Sequence, residues 1–393
     1  MMRATILVID SFGIGELPDA AEYGDVGANT ALHICEAVDG PLWPNMKKMG
    51  LGNASELLNN TLPGCEATAK PEALWGVMAE TSPGKDTTTG HWEMSGLVLD
   101  KAFTQFPKEY PSFPEDLVAK FVKLTGCGGI IGNKAASGTA IIEELGEEHL
   151  KTGFPICYTS ADSVFQIAVH MEKYSIQELY KMCEIARELC DPLAVGRVIA
   201  RPFNGKPGEF FRTKERHDYS IALPDDSILD HLQKNAVKTV AVGKIGSIFN
   251  ESGIDDSYHD AGNPDCMARV SELLSHKAEG KEFLFVNLVD TDMVYGHRRD
   301  PIGYAAAVSV IDNALPSYID AMDNGDVLIL TGDHGCDPTY RGTDHTREYV
   351  PLLWYQKGGK TGSVGIRGSF ADLAASLIDY FDVAPMKNGK SFL

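Results

Sequence analysis

Apolar runs along this chain stop abruptly at charged side chains. Residues 4–9 end at Asp10, 237–242 run out at Lys244, 283–289 meet Asp290-Thr291-Asp292, and 327–330 pass into Thr331-Gly332-Asp333-His334-Gly335. Each run is short, rich in β-branched and large apolar residues, and free of polar alternation, the pattern of a buried strand. Helical patterns separate the runs. One spans about 139–150. A second, 175–190, opens with a capping box of Ser175 and Glu178 and closes at Asp191-Pro192. A third opens at Asn263-Pro264 and runs to about 279, and a fourth occupies about 303–322. Strand and helix in alternation predict an α/β protein.

The character changes between about residues 97 and 217. Residues 103–114 are rich in proline and aromatics and read as a linker between domains, while 129–132 and 156–162 read as further strands, the latter ending in Asp162. With 393 residues the chain exceeds one ordinary core and predicts two or three domains. A net charge of -20 argues against non-specific binding to nucleic acid or to an anionic membrane. Positive charge gathers locally instead: residues 195–217 hold Arg197, Arg201, Lys206, Arg212, Lys214 and Arg216 against only Glu209 and Glu215. Such a cluster fits an anion site, arginine being suited to bidentate phosphate contact. The eight cysteines are irregularly spaced with no CxxC pair, so neither a zinc knuckle nor a disulfide framework is indicated. The short apolar N-terminal run ends at a charge and does not read as a signal peptide, and no run reaches membrane-span length. The cytoplasm is the expected compartment.

The strand ends carry the candidate chemistry. In an open parallel sheet, ligands gather at the carboxyl ends of strands. There the chain places Asp10, Asp292 with His297, Asp333 with His334, and His345 in the loop beyond. If the strand before them continues, period two puts Asp290 and Asp292 on one face, and either could be a ligand. Carboxylates and imidazoles are costly to bury unpaired, and together they suit a divalent metal. Six ligands, three for each of two ions, match a two-metal phosphoryl-transfer centre. Gly84-Lys85-Asp86-Thr87-Thr88-Thr89-Gly90 lacks Walker A order, and the GxG after Asp10 lacks the third glycine of a dinucleotide site. Three hydroxyls before a possible helix still offer a nucleophile, and residue type alone leaves Thr87, Thr88 and Thr89 open.

Six blocks in order, VIDSFGIGELPDA, GKDTTTGHWE, TSADSVFQIA, VGRVIARPF, FVNLVDTDMVYGHRRDP and TGDHGCDPTYRGTDHTREYVPLL, closely resemble the phosphopentomutases, a family of the alkaline phosphatase superfamily. The likeness spans nearly the whole chain and departs at no ligand position. It implies an alkaline-phosphatase-like α/β core with a central, mostly parallel sheet flanked by helices, formed by residues 1–96 and 218–393. A smaller α/β cap, 97–217, is inserted for substrate binding and for excluding water from a phosphoenzyme. It implies one manganese site at Asp10, Asp333 and His334 and another at Asp292, His297 and His345. The residue after Lys-Asp, Thr87, would carry the phosphate. Asp162 would hold sugar hydroxyls, and Arg197, Arg212 and Lys244 would face the distal phosphate. The implied reaction interconverts α-D-ribose 1-phosphate, or its 2-deoxy form, with the 5-phosphate through a bisphosphate. Two Mn2+ ions would serve as cofactors, with glucose 1,6-bisphosphate or ribose 1,5-bisphosphate as activator. The partners expected are small sugar phosphates, with no nucleic acid, membrane or obligate protein partner. A metal-dependent phosphomonoesterase on the same core is the alternative, with water taking the phosphate.

Overall fold

The computed structural model describes residues 2–40, 43–160 and 163–393. Asp162 lies outside them. Two compact units result: Met1–Lys101 with Leu223–Leu393, and an insert, Ala102–Ala222. The insert therefore starts and ends a few residues later than the range 97–217. Leu97 is buried and the Leu99 amide donates to Ser82 Oγ at 3.0 Å, which ties that segment to the first unit. At the other end, His217–Ser220 is a strand of the insert's own sheet.

The strands, in chain order, are β1 (Met2–Ile9), β2 (Leu74–Met78), β3 (Ile131–Ala135), β4 (Ile156–Thr159), β5 (Val164–His170), β6 (Arg197–Asn204), β7 (Phe211–Arg212), β8 (His217–Ser220), β9 (Val237–Val242), β10 (Asp256–Tyr258), β11 (Lys281–Leu288), β12 (Val327–Thr331), β13 (Val350–Gln356) and β14 (Gly362–Arg367). The larger unit is built on a sheet of order β10-β9-β11-β1-β12-β13-β2-β14. It is parallel from β10 to β12, and β13 runs antiparallel to both of its neighbours. Both faces are covered. Leu7, Ile9, Leu284, Val286, Leu328 and Leu330 join a core that also holds Ile34, Met46, Val308 and Ile311. Ile6, Val8, Phe283 and Phe285 are equally buried on the opposite side, where His91 and Phe249 lie against the Phe285 ring. Double burial explains the unbroken apolar runs.

Register decides where the strand ends fall. Ile9 stands opposite Leu288, and Val8 opposite Thr331, so β11, β1 and β12 end at one level. Ile6 to Ile9 are all buried, each contributing about 1.5–3 kcal/mol. A slip would forfeit much of that, so the register is strongly held.

The insert has its own sheet, β3-β4-β5-β6-β7, with β8 pairing β6. Cys157, Phe165, Ile167, Val198 and Ala200 pack on one side with Phe121, Leu179 and Cys183 from the helices Glu115–Thr125 and Ile176–Cys190. The capping box of Ser175 and Glu178 is formed, and Cys183 and Cys190 are buried and free. Ile156, Tyr158, Ala168 and Phe203 pack on the other side with Ile141 and Ile142 of the helix Gly138–Thr152. Residues 103–114 are not a linker: Phe106 and Phe113 meet edge-on at 4.8 Å inside this core. Two further readings need correction. Asn263 does not cap a helix but lies within Gly262–Ser275, exchanging hydrogen bonds with Asp290. Beyond β11 the chain does not continue as strand; Thr291–Gly296 winds into a wide π-type turn, so Asp290 and Asp292 share no strand face. No helix among the described residues is long and apolar enough to cross a membrane.

Candidate metal centre and nucleophile

The level ends of β1, β11 and β12 bring Asp10 and Asp333-His334 together. Their ligand atoms, with those of Asp292, His297 and His345, form overlapping groups within 4.8 Å: Asp10-Asp333-His334, Asp292-His334-His345 and Asp292-His297-Cys336. All six sequence-predicted ligands thus meet in one place. Asp292 stands between two imidazoles, Oδ1 lying 3.3 Å from His345 Nε2 and Oδ2 3.5 Å from His297 Nε2. His334 Nε2 is 3.6 Å from Asp10 Oδ1 and 3.4 Å from Asp333 Oδ2. His345 reaches this cluster because Gly335 and Thr346 exchange backbone hydrogen bonds, folding the distal loop back onto His334.

The donor set fits a cation. Asp10 Oδ1, Asp292 Oδ1 and Asp333 Oδ2 are buried with no hydrogen-bond partner among the described residues. Orphaned carboxylate oxygens are costly unless a positive charge meets them. His334 Nδ1 lies 3.0 Å from the Gly335 carbonyl and His297 Nδ1 2.6 Å from that of Thr343, each able to accept its proton. That leaves Nε2 of each ring as the lone-pair nitrogen. The Nε2 atoms of His297 and His345 face each other at 3.1 Å, both turned toward Asp292.

Electrostatics follow from burial and crowding. Burial, then the neighbouring Asp333, holds the Asp10 carboxyl well above its ordinary range, against the pull of Lys244. Burial also pushes Asp333 and Asp292 upward but is outweighed. His334 and His91 lower Asp333; His345, His297 and His334 lower Asp292. Burial depresses His334 despite Asp333, favouring a neutral ring, the form that binds metal.

Thr87 begins the helix Thr87–Met94, capped by Asp86, and its Oγ1 lies 3.2 Å from His334 Nε2. Thr89 is engaged elsewhere, its hydroxyl donating to Asp86 Oδ2 at 2.6 Å. The helix approaches because residue 90 is glycine: a Cβ there would stand 2.1 Å from the Asp333 carbonyl oxygen. Of the expected substrate residues, Lys244 reaches this centre, with Nζ 3.9 Å from Asp10 Oδ2. Arg197 opens β6, whereas Arg212 on β7 pairs with Phe203 near its far end. Six strand steps, about 20 Å of backbone, lie between Arg197 and the Phe203 that pairs with Arg212.

Several supporting residues escaped the sequence reading. Asn287 Nδ2 donates to Asp10 Oδ2 at 2.9 Å, and the Ser11 amide donates to Asp333 Oδ1 at 2.9 Å. His91 Nδ1 lies 2.8 Å from the Thr87 carbonyl, which can accept its proton, and 3.1 Å from Asp333 Oδ2, so the ring stands between the helix and that carboxylate. Cys336 Sγ is 3.9 Å from His297 Nδ1, its thiol pushed well up by burial. A polar residue inside an apolar run was the available signal for Asn287; nothing comparable marks His91.

Residues 2–385 match the model of the metalloenzyme superfamily. The chain is 50% identical over 391 residues to a phosphopentomutase of Anaeromyxobacter sp., covering 100% of this chain and 98% of that one. It is 48% identical over 395 residues to a phosphopentomutase of Desulfitobacterium hafniense, covering 100% and 99%. Among solved structures, a Pyrococcus horikoshii protein aligns over 99% of each chain, with a TM-score of 0.49 and 14% identity. By the family match and the two full-length sequence relatives, the chain belongs to the metalloenzyme superfamily and, within it, to the phosphopentomutase family.

Proposed function

We propose that this chain is an isomerase interconverting α-D-ribose 1-phosphate, and 2-deoxyribose 1-phosphate, with the 5-phosphates, and that Thr87 is its phosphoryl carrier. The observation behind this reading is the Thr87 hydroxyl, 3.2 Å from His334 Nε2 at the edge of a cluster of orphaned carboxylates. Asp10, Asp333 and His334 would hold one divalent ion, and Asp292, His297 and His345 the other; we take both to be Mn2+. Bound there, such ions supply neutralisation of phosphate charge and favour ionisation of a nearby hydroxyl.

The chain's own groups do the rest. Phosphorylated Thr87 gives its phosphoryl group to the free hydroxyl of a sugar monophosphate. The Thr87 O–P bond breaks as the sugar O–P bond forms, and the sugar's proton ends on the Thr87 oxygen. The resulting bisphosphate reorients, and Thr87 takes back the other phosphoryl group. The free amides at the start of Thr87–Met94 favour the charge on phosphothreonine. The Ser11 amide and Asn287 hold Asp333 and Asp10 in place. We assign sugar hydroxyls to Asp162 and substrate phosphate to Arg197, Arg212 and Lys244. Glucose 1,6-bisphosphate or ribose 1,5-bisphosphate would phosphorylate Thr87 at the outset, and we place the enzyme in the cytoplasm.

The test is an assay with Mn2+, ribose 1-phosphate and a trace of glucose 1,6-bisphosphate, following ribose 5-phosphate and free phosphate together. Isomer with little free phosphate, abolished by Thr87→Ala, is the expected result. Free phosphate as the main product would replace the mutase reading with a phosphomonoesterase.

A further inference from the structure

One backbone turn at the metal centre holds a conformation that its sequence does not favour. Beyond β1 the Phe12 amide donates to the Ile9 carbonyl at 3.0 Å, closing a four-residue turn with Asp10 and Ser11 at its centre. Ser11 has φ +66° while Asp10 keeps a negative φ, the pattern of a type II turn. That turn calls for glycine at its third position, because an L side chain crowds the backbone there. Serine is better suited to the type I turn, which is reached by turning over the central peptide.

The disfavoured form serves a ligand. The central peptide joins Asp10 to Ser11, and its N–H donates to Asp333 Oδ1 at 2.9 Å. Turned over, the same peptide would withdraw that donor and swing the Asp10 carbonyl oxygen towards the carboxylate instead.

Contacts at the carbonyl end fix the sense of this peptide. The Asp10 carbonyl accepts from Thr291 Oγ1 at 2.7 Å, although that hydroxyl also has the Leu288 carbonyl at 3.1 Å. Tyr304, in the helix Pro301–Ala321, is fully buried, as is Ser11. Its hydroxyl lies 3.1 Å from Ser11 Oγ and, at a longer 3.4 Å, donates towards the Asp10 carbonyl. A phenol carries one proton, so with that proton on the carbonyl side the Ser11 hydroxyl donates to the phenol oxygen. Tyr304 therefore grips the carbonyl of residue 10 and the side chain of residue 11 together.

We propose that Tyr304 is a positioning residue of the metal centre: its hydroxyl holds the Asp10–Ser11 peptide with the Ser11 amide on Asp333, in a turn that serine alone would leave. This role rests on the ion assigned above to Asp10, Asp333 and His334, and not on the sugar substrate.

The test is calorimetric titration of Mn2+ into the metal-stripped, full-length protein as wild type, Tyr304→Phe, Ser11→Gly and the double variant. Tyr304→Phe should weaken one of the Mn2+ sites roughly tenfold, the scale of a disfavoured backbone conformation. Glycine takes the turn unaided, so within Ser11→Gly the further change Tyr304→Phe should move that Kd by less than about twofold. An equal loss in both backgrounds would mean that the phenol acts on core packing in general, and would overturn the role, as would an unchanged Kd in Tyr304→Phe. Should Tyr304→Phe fail to fold, Ser11→Ala keeps the crowding side chain and loses the hydroxyl, so it should bind Mn2+ more weakly than Ser11→Gly; equal affinities would overturn the role. A wild-type protein that takes up no Mn2+ would remove the metal assignment itself, and this role with it.

Discussion

Arg347 ties the stability of the fold to the segment that leads to Thr87. Its guanidinium is almost wholly buried and donates to Glu80 Oε2 at 2.6 Å, to the Glu80, Ser82 and Gly84 carbonyls at 2.9, 2.8 and 2.6 Å, and to Asp19 Oδ2 at 3.0 Å. Replacing Arg347 by Met keeps much of the aliphatic volume and removes every donor. Asp19 is partly exposed and rehydrates, so its share is small. Glu80 cannot: its side chain is 2% exposed, and burial already holds its carboxyl well above the ordinary range even beside Arg347. Without Arg347 the group stays buried without its partner, whether ionised or protonated, and breaking a buried pair costs about 3–5 kcal/mol. Arg347→Met should therefore lose about 3–5 kcal/mol in urea unfolding, seen as a lower midpoint at unchanged slope. Adding Glu80→Gln should recover about 1–3 kcal/mol, because the amide needs neither a counter-charge nor a proton from solvent. The three freed carbonyls lie in the segment leading to Thr87, so kcat should fall as well. A displacement of about 1 Å at Thr87 costs roughly a hundredfold. A stability loss below about 1 kcal/mol, the range of surface substitutions, would refute this reasoning.

Other consequences follow from the same geometry. Burial raises Glu348 from 4.5 to about 7, so the folded state holds its proton across that window. Stability from this group is full below pH 4.5 and lost as pH rises through 7, by up to about 3 kcal/mol. Glu348→Gln should remove that slope, and identical pH profiles of unfolding for both proteins would contradict it. Chelation should lower Tm, and Mn2+ should restore it by about 2.7 kcal/mol at a hundred times Kd; a Tm indifferent to metal would speak against the centre. Gly90→Ala should cost about 1–3 kcal/mol and weaken metal binding, since its Cβ meets the Asp333 carbonyl at 2.1 Å; calorimetric titration with Mn2+ would show an unaltered affinity if the approach were immaterial.

Much of the site was legible because parallel strands buried on both faces write themselves as apolar runs, and the residue after each run falls at one level of the sheet. Asp10 and Asp333-His334 were found in this way. Asp292 was placed for the wrong local reason, since a helical turn rather than a continuing strand presents it. Thr87 could not be separated from Thr89 until the Asp86 cap showed which hydroxyl was already used. The proline-rich segment misled because Phe106 and Phe113 bury their rings in the insert, and aromatic-proline composition does not say on which side of a boundary a segment packs. His91, Asn287 and Glu348 act through contacts more than a hundred residues apart in sequence, a kind of information that periodicity does not carry.

The central claim is that Thr87 holds the transferred phosphate. The most direct measurement is peptide mass spectrometry after incubating the Mn2+-loaded protein with glucose 1,6-bisphosphate. One phosphoryl group on Thr87, discharged when ribose 5-phosphate is added and absent from Thr87→Val, is the predicted result. Phosphate on Thr88 or Thr89, or none on a protein that still makes isomer, would contradict it.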